Sequence, residues 1–288
     1  MAQASFLVHR FQASLFPVNA YLIESPTDVI VVDATLGMSD GRRLRAKLDA
    51  TGKPLAGVIV THAHPDHYGA VSALVDGTDV PIYAVGGVDD VIRRDDAAKE
   101  RILRPMFGDE WAAVRTFPTH RVADGDRVHV GSATFHVVDV GPGECPHDSW
   151  WLLESPDRPR AFVGDLVYNH MHAYLADGFA DQWLRNLDRA KRELPADAEL
   201  SMGHGDPTSD LELLGWQSGY IEEFLDAVRV GADTDGLRGD ALADAVALRM
   251  KTYLPQDDLE FLMRLSVEPT RARLAAMSRS EALPRLNR

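Results

Sequence analysis

Cysteine is almost missing from this chain. Cys145 is the only one in 288 residues, which rules out an intrachain disulfide and any zinc knuckle built from several thiolates. Positive charge is short as well: 30 Lys and Arg stand against 44 Asp and Glu, a formal net charge of −14. Such a surface repels phosphate backbones and anionic membranes at long range, so neither nucleic acid nor a membrane is the expected partner. No window approaches the roughly 18 consecutive apolar residues of a membrane span. The opening Met1-Ala2-Gln3-Ala4-Ser5-Phe6 has no cationic segment followed by an apolar stretch, so no signal peptide is expected and the expected location is cytoplasmic. What remains is ordinary for a globular protein, 45% hydrophobic and 26% charged. A chain of this length can bury a substantial core as one large domain or two small ones.

Against that background, Thr61-His62-Ala63-His64-Pro65-Asp66-His67 stands out. Histidine is scarce here, 11 in the whole chain, yet three fall in this one turn beside a carboxylate. Imidazole and carboxylate are the preferred ligands of zinc and similar borderline metals. The segment follows Gly57-Val58-Ile59-Val60, an apolar run that reads as a buried strand. His62 and His64, two apart in an extended segment, point the same way. Asp66 and His67 then turn towards a second position, so one loop can serve two adjacent metal sites.

Along the chain, short strands are expected at Phe6–Arg10, Ala20–Glu24 and Val29–Asp33, separated by Pro17 and the Ser25-Pro26-Thr27-Asp28 turn. A helix should run from Ser39 or Asp40 through Leu48 to the Gly52-Lys53-Pro54 stop. Residues 68–76 read as helix and Pro81–Ala84 as strand. Residues 87–118 carry a charged helical stretch, Asp89–Arg101, then Met106, Phe107, Trp111 and Phe117. That segment fits either an ordinary excursion whose aromatics complete the core or a flap over the site. A hairpin, Arg127–Val130 with Ala133–Val140, precedes strands at Trp150–Glu154 and Ala161–Val163, an amphipathic helix over 181–194, and a strand at Glu199–Met202. From about residue 211 the pattern is helical: Leu211–Val230, Arg238–Thr252, Asp257–Leu265 and Glu268–Met277. Strands first, then alternation, indicate an α/β layered sandwich. Residues 1–210, which hold the ligand-type residues, are expected to form that sandwich as one domain, and 211–288 a helical extension packed on it. The apolar spacing of Leu242, Ala245, Val246, Leu248 and Met250 suits packing on the sandwich or a subunit interface, so a homodimer is an open expectation.

Further ligand-type residues also sit just after expected strands. Glu144 and His147 lie in the Gly141-Pro142-Gly143-Glu144-Cys145-Pro146-His147 turn, Asp165 ends Phe162-Val163-Gly164, and His204 stands between Gly203 and Gly205. Each alone is an unremarkable turn. With the histidine loop they make four loops after four strands, and that combination is a signal.

With these residues in view, the chain resembles the metallo-β-lactamase-fold hydrolase superfamily over roughly residues 5–206. The resemblance implies an αββα four-layer sandwich and a binuclear metal centre. It implies His62 and His64 in the first site, Asp66, His67 and His204 in the second, and Asp165 as the bridge. Asn19-Ala20-Tyr21-Leu22 and Val31-Val32-Asp33 look like the family's opening strands, with Asp33 supporting the histidine loop. One position departs. Where the family reads Pro-Gly-His-Thr-Pro-Gly, this chain has Pro142-Gly143-Glu144-Cys145-Pro146-His147. Either Glu144 is the third ligand of the first site, or His147 swings in and Glu144 serves as a base or an outer partner. Two divalent ions, zinc foremost, are implied; a carboxylate at Glu144 shifts preference towards Mn2+ or Fe2+.

Past Asp165, the residues Tyr168, His170 and His172 are candidates for touching substrate or polarising a carbonyl, and His170 is the favoured one. The implied chemistry is attack by a metal-activated water, oriented by Asp66, on a small-molecule ester, thioester, lactone or lactam. The competing readings are an iron-dependent oxidoreductase on the same fold, of the persulfide dioxygenase kind, and a non-catalytic metal-binding module. A flavodiiron protein would need an added flavodoxin-like domain, and a nuclease of this superfamily would need a basic surface.

Overall fold

Runs of β-branched residues build the centre of the molecule. Val29-Ile30-Val31-Val32 and Val58-Ile59 are buried on both faces, as internal strands of a covered sheet must be. The computed structural model describes residues 5–282. Its first sheet has six strands in sequence order: β1 (Leu7–Gln12), β2 (Asn19–Glu24), β3 (Val29–Val32), β4 (Leu55–Ile59), β5 (Ile82–Val85) and β6 (His120–Val122). The first two pairings are antiparallel and the remaining three parallel. The second sheet comprises β7 (Arg127–Val130), β8 (Ala133–Gly141), β9 (Asp148–Leu153), β10 (Arg160–Tyr168) and β11 (Glu199–His204). Its spatial order is β11-β10-β9-β8-β7, and only β10 and β11 run parallel.

The helices are α1 (Met38–Ala50), α2 (Pro65–Tyr68), α3 (Val71–Val75), α4 (Gly86–Phe107), α5 (Ala180–Glu193), α6 (Leu213–Arg229), α7 (Gly239–Tyr253) and α8 (Glu260–Ala282). Adjacent tryptophans show how the layers form. Trp151 joins Phe11, Tyr21, Phe135 and Phe162 in the core between the sheets. Trp150, on the opposite face of β9, joins Trp183 of α5, Phe224 of α6, Met250 of α7 and Val267 of α8. Leu44 of α1, Leu74 of α3 and Ile92 of α4 seal the first sheet. The result is an αββα sandwich whose C-terminal helices share one core with the second sheet. No helix among the described residues is long and apolar enough to cross a membrane.

Several elements differ from expectation: β6 is an added strand, the helix expected over 68–76 is the pair α2 and α3, and two further differences affect longer elements. The strand expected to end at Val163 runs on to Tyr168, because Gly164 takes φ +51° and forms a bulge through which pairing with β11 continues. The two helices expected over 257–277 are one, α8, with Pro269 inside it. A mid-helix proline loses a hydrogen bond. Here Met263, Val267 and Thr270 are buried on either side of it, and that packing carries the helix through the break.

Tyr21 and Asn19 tie the sheets at one end: the Tyr21 hydroxyl donates to the Met202 carbonyl at 2.7 Å, and Asn19 Nδ2 donates to the carbonyls of Met202 and Gly205. The first-sheet loops and the ends of β10 and β11 therefore meet at one edge. Between the sheets, Phe162 packs edge-on to Tyr21, with ring centroids 5.5 Å apart, and also contacts Phe135. Phe162→Ala should lower unfolding stability by about 3–5 kcal/mol, read as a drop in the urea midpoint. An unchanged midpoint would mean that this contact is not part of the core.

Candidate metal centre

The histidine loop is shaped from outside by Asp33, which sits just after β3 with φ +58°. Its Oδ1 accepts the Thr61 amide and its Oδ2 accepts the Thr61 hydroxyl, each at 2.8 Å. The same Oδ2 lies 2.9 Å from His67 Nδ1. Every imidazole of the cluster is oriented this way, by an oxygen on its outer side. His62 Nδ1 faces Thr61 Oγ1 at 3.1 Å, His204 Nδ1 faces the Pro17 carbonyl at 2.6 Å, and His64 Nε2 faces Asp177 Oδ2 at 3.2 Å. Such contacts select a tautomer and aim the other nitrogen inwards.

The inward atoms converge. One group able to hold a cation is His62, His64, Glu144 and Asp165; a second is Asp66, His67 and His204. Asp165 lies between them, its Oδ2 3.1 Å from His204 Nε2 and its Oδ1 3.4 Å from His67 Nε2. This close approach needs a glycine at 203, since a Cβ there would stand 2.0 Å from Asp165 Oδ1. His64 Nδ1 comes within 2.8 Å of Glu144 Oε2 without the alignment of a hydrogen bond. Among the described residues, His62 Nε2, His67 Nε2, Glu144 Oε2 and Asp165 Oδ1 are buried with no hydrogen-bond partner. Buried polar atoms are rarely left so, and several converging orphans fit a cation that they would share.

Electrostatics point the same way. Burial opposes protonation of His67, yet Asp165, Asp66 and Asp33 outweigh it and hold its pKa well above the imidazole range. In His204, burial is likewise overcome by Asp165 and Asp66, and the pKa rises to about 10. His62 goes the other way, lowered by burial and by His67. Burial pushes Glu144 up. Burial at His64 is likewise outweighed by Glu144 and Asp177, which raise its pKa, so without a cation the cluster favours protons on His64, His67 and His204.

Other candidates from the sequence lie elsewhere. His147 is outside the cluster: its Nε2 bonds Asp139 Oδ1 at 2.7 Å, and its ring lies over Gly87. The loop reverses between 144 and 147, closed by Gly143 N–H to the Cys145 carbonyl. Glu144 consequently points in and His147 out, which takes His147 out of the ligand set expected from spacing. His170 is exposed, has φ +52° and packs against Trp216 with centroids 4.7 Å apart. It is not among the residues that line the cavity described below. Because β10 continues past Asp165, the residue that returns to the cluster is Tyr168, whose hydroxyl donates to Asp165 Oδ2 at 2.9 Å and Glu144 Oε1 at 3.0 Å. His172 is buried between the Tyr220 hydroxyl and the Gln256 carbonyl. Asp177, unmarked in the sequence, reaches His64 from 113 residues away.

The cluster forms one end of a cavity of about 710 Å³ whose lining includes His64, Asp66, Glu144, Asp165, Tyr168 and His204. Residues 13–204 match the model of the Metallo-beta-lactamase superfamily, and the chain belongs to that superfamily. Hydroxyacylglutathione hydrolase of Bdellovibrio bacteriovorus is 25% identical over 222 residues, 77% of this chain and 75% of that one. The chain spans 27% of the length of the uncharacterized protein YobT of Bacillus subtilis and 51% of the hydroxyacylglutathione hydrolase of Hahella chejuensis. Among solved structures, a beta-lactamase domain protein from Burkholderia ambifaria superposes with TM-score 0.68 at 19% identity, covering 97% of this chain and 88% of that one. A protein solved in a di-iron-bound form superposes at TM-score 0.56 and 25% identity, over 71% of this chain and 96% of that one.

Two outcomes follow for metal uptake. Asp33→Ala should weaken divalent-metal affinity by about 10–100-fold, measured by competition with a chromophoric chelator. Equal affinity in the variant would show that Asp33 does not set the geometry. Binding should also release protons, because the metal-free fold keeps His204 protonated up to about pH 10 whereas an ordinary imidazole loses its proton near 6.5. Affinity should therefore rise with pH across that interval, and calorimetry in buffers of different ionisation enthalpy counts the protons.

Proposed function

We propose that this chain is a binuclear metal-dependent hydrolase of small-molecule esters or thioesters, with lactones and lactams in the same chemical reach. The observation that carries this reading is the convergence of partnerless buried donor atoms on the end of a substrate-sized cavity. Relatives named hydroxyacylglutathione hydrolase support the thioester.

His62, His64, Glu144 and Asp165 would hold one cation, and Asp66, His67 and His204, with Asp165 shared, the other. Nitrogen and carboxylate donors suit zinc; Glu144 adds a hard ligand that also suits manganese or iron(II). Divalent cations there would polarise a carbonyl and lower the pKa of water. The remaining work falls to the chain's own groups. Burial opposes ionisation of Asp66, but His67 and His204 overcome it and keep the carboxylate charged. It lines the cavity and is the group placed to orient a water. Tyr168 is kept a phenol by burial and by Asp165 and Glu144, so it remains a hydrogen-bond donor throughout the working pH range. Its one proton is directed at Asp165 and Glu144, and with those carboxylates held by cations it could turn to a carbonyl seated at the same end of the cavity.

Glu144 also favours a second reading, an iron-dependent oxidoreductase on this fold. Metal analysis after purification without added metal, paired with a screen of thioesters, lactones, β-lactams and phosphodiesters, separates the two. Iron with oxygen uptake and no hydrolysis would sink the hydrolase. For the hydrolase, chelation should abolish turnover. Tyr168→Phe should retain metal yet lower kcat about a hundredfold, the scale for removing one donor to a developing oxyanion. Unchanged kcat in that variant would remove Tyr168 from the mechanism.

A further inference from the structure

Away from the cluster, the cavity is apolar and is built by two helices far apart in sequence. One wall is α4, through Leu103, Met106 and Phe107; the other is α8, through Phe261, Leu262 and Leu265. The α8 wall lies beyond residue 204, where the family match ends. At the mouth, Ile102 is 60% exposed, Met106 67%, Phe261 50% and Leu265 61%. Four large apolar side chains left open to water around one opening mark a surface that gains by being covered. They are continuous with the metal centre. Phe16 packs edge-on to His204 at 6.0 Å on one side and to Phe261 at 5.9 Å on the other, so an aromatic path leads from the cluster to the rim.

The cations on the lining are already engaged. Arg94 makes a forked pair with Asp95, 2.7 Å at both contacts. Lys99 donates to the Ala63 carbonyl and sits over the Tyr68 ring. Asp95 and Asp177 add negative charge to the lining. A substrate tail carrying carboxylates or phosphates would face those acids, and the lining offers it only Arg94, paired with Asp95, and Lys99, held on the Ala63 carbonyl.

We infer that the cavity between α4 and α8 is an acyl-chain site, selecting substrates whose carbonyl lies at the metal centre and whose tail is an uncharged hydrocarbon. The inference rests on the hydrolase reading and names its substrate class. Each methylene moved from water into the apolar walls contributes to transition-state binding, so specificity should climb steadily with chain length.

The test is a series of p-nitrophenyl esters and matching thioesters, acetyl through butyryl, hexanoyl and octanoyl to decanoyl, on metal-loaded full-length protein. S-lactoylglutathione serves as the charged comparison. The expected result is a kcat/KM that rises about fourfold per methylene until the cavity is full, with the glutathione thioester far below octanoyl. A flat or falling series overturns the acyl site while leaving hydrolysis standing. If nothing in the series is hydrolysed, the hydrolase reading falls by itself. The cavity is then judged by displacement of an anilinonaphthalene fluorophore: displacement by decanol but not glutathione supports it, and no displacement by decanol overturns it. Phe261→Asp and Leu265→Glu alter exposed rim positions, and circular dichroism checks their fold. They should bring the octanoyl-to-acetyl ratio of kcat/KM down towards one. A retained ratio together with a change from dimer to monomer in light scattering would instead make this face a subunit interface.

Discussion

The structure depends on a concentration of buried titratable groups whose inward atoms find no hydrogen-bond partner. Three carboxylates and four imidazoles crowd the edge where the two sheets meet, and several of their atoms lack partners. Taking such groups out of water is costly unless something pairs them. Protons held on His67 and His204 offset part of that cost in the absence of metal. A cation would offset more of it, and for all the donors at once. The outer contacts from Asp33, Thr61, Pro17 and Asp177 set where the imidazoles stand before any ion arrives. They spare the ion the cost of ordering its ligands, since each ring has already lost its rotational freedom on folding.

The sandwich serves that arrangement. Strands can end in short loops at a common edge only if the sheets are held in register with each other. The Tyr21 and Asn19 bonds to the end of β11, and the aromatic contacts of Phe162, provide that register. Gly164 and Gly203 then allow backbone and carboxylate to approach more closely than any side chain would permit. A Cβ at 164 would lie 2.7 Å from Thr61 Oγ1, and one at 203 would overlap Asp165.

Much of this was legible because the groups are local. His62, His64, Asp66 and His67 fall in one loop after an apolar strand, and Asp165 and His204 each stand at a glycine near a strand end. The layered architecture followed from strand and helix order. What could not be read depends on tertiary detail. Whether Glu144 or His147 points inward is decided by a chain reversal three residues long. Tyr168 displaces His170 because a glycine bulge lets β10 continue, where the sequence suggests a strand end. Asp177 and the α8 wall carry no pattern at all, since their role arises only when distant segments pack together. The sequence pattern over 257–277 reads as two helices, and burial on either side of Pro269 makes them one.

Glu144 and the apolar cavity also bear on each other. With two divalent cations in place, the three carboxylates Asp66, Asp165 and Glu144 would leave the centre one positive charge where a histidine at 144 would leave two. The smaller excess weakens the pull on an anionic ligand and tempers the Lewis acidity. For an uncharged acyl substrate the first loss matters little, because its affinity comes from the walls and its carbonyl is neutral until attack. The low-polarity surroundings also strengthen every remaining electrostatic contact to the charge that develops on the carbonyl oxygen, including the one that Tyr168 can donate. A glutamate that would handicap a site evolved to capture anions is thus compatible with one that recruits its substrate by hydrocarbon. On the proposed reading, the glutamate at 144 and the wall contributed by α8 would serve the same specialisation.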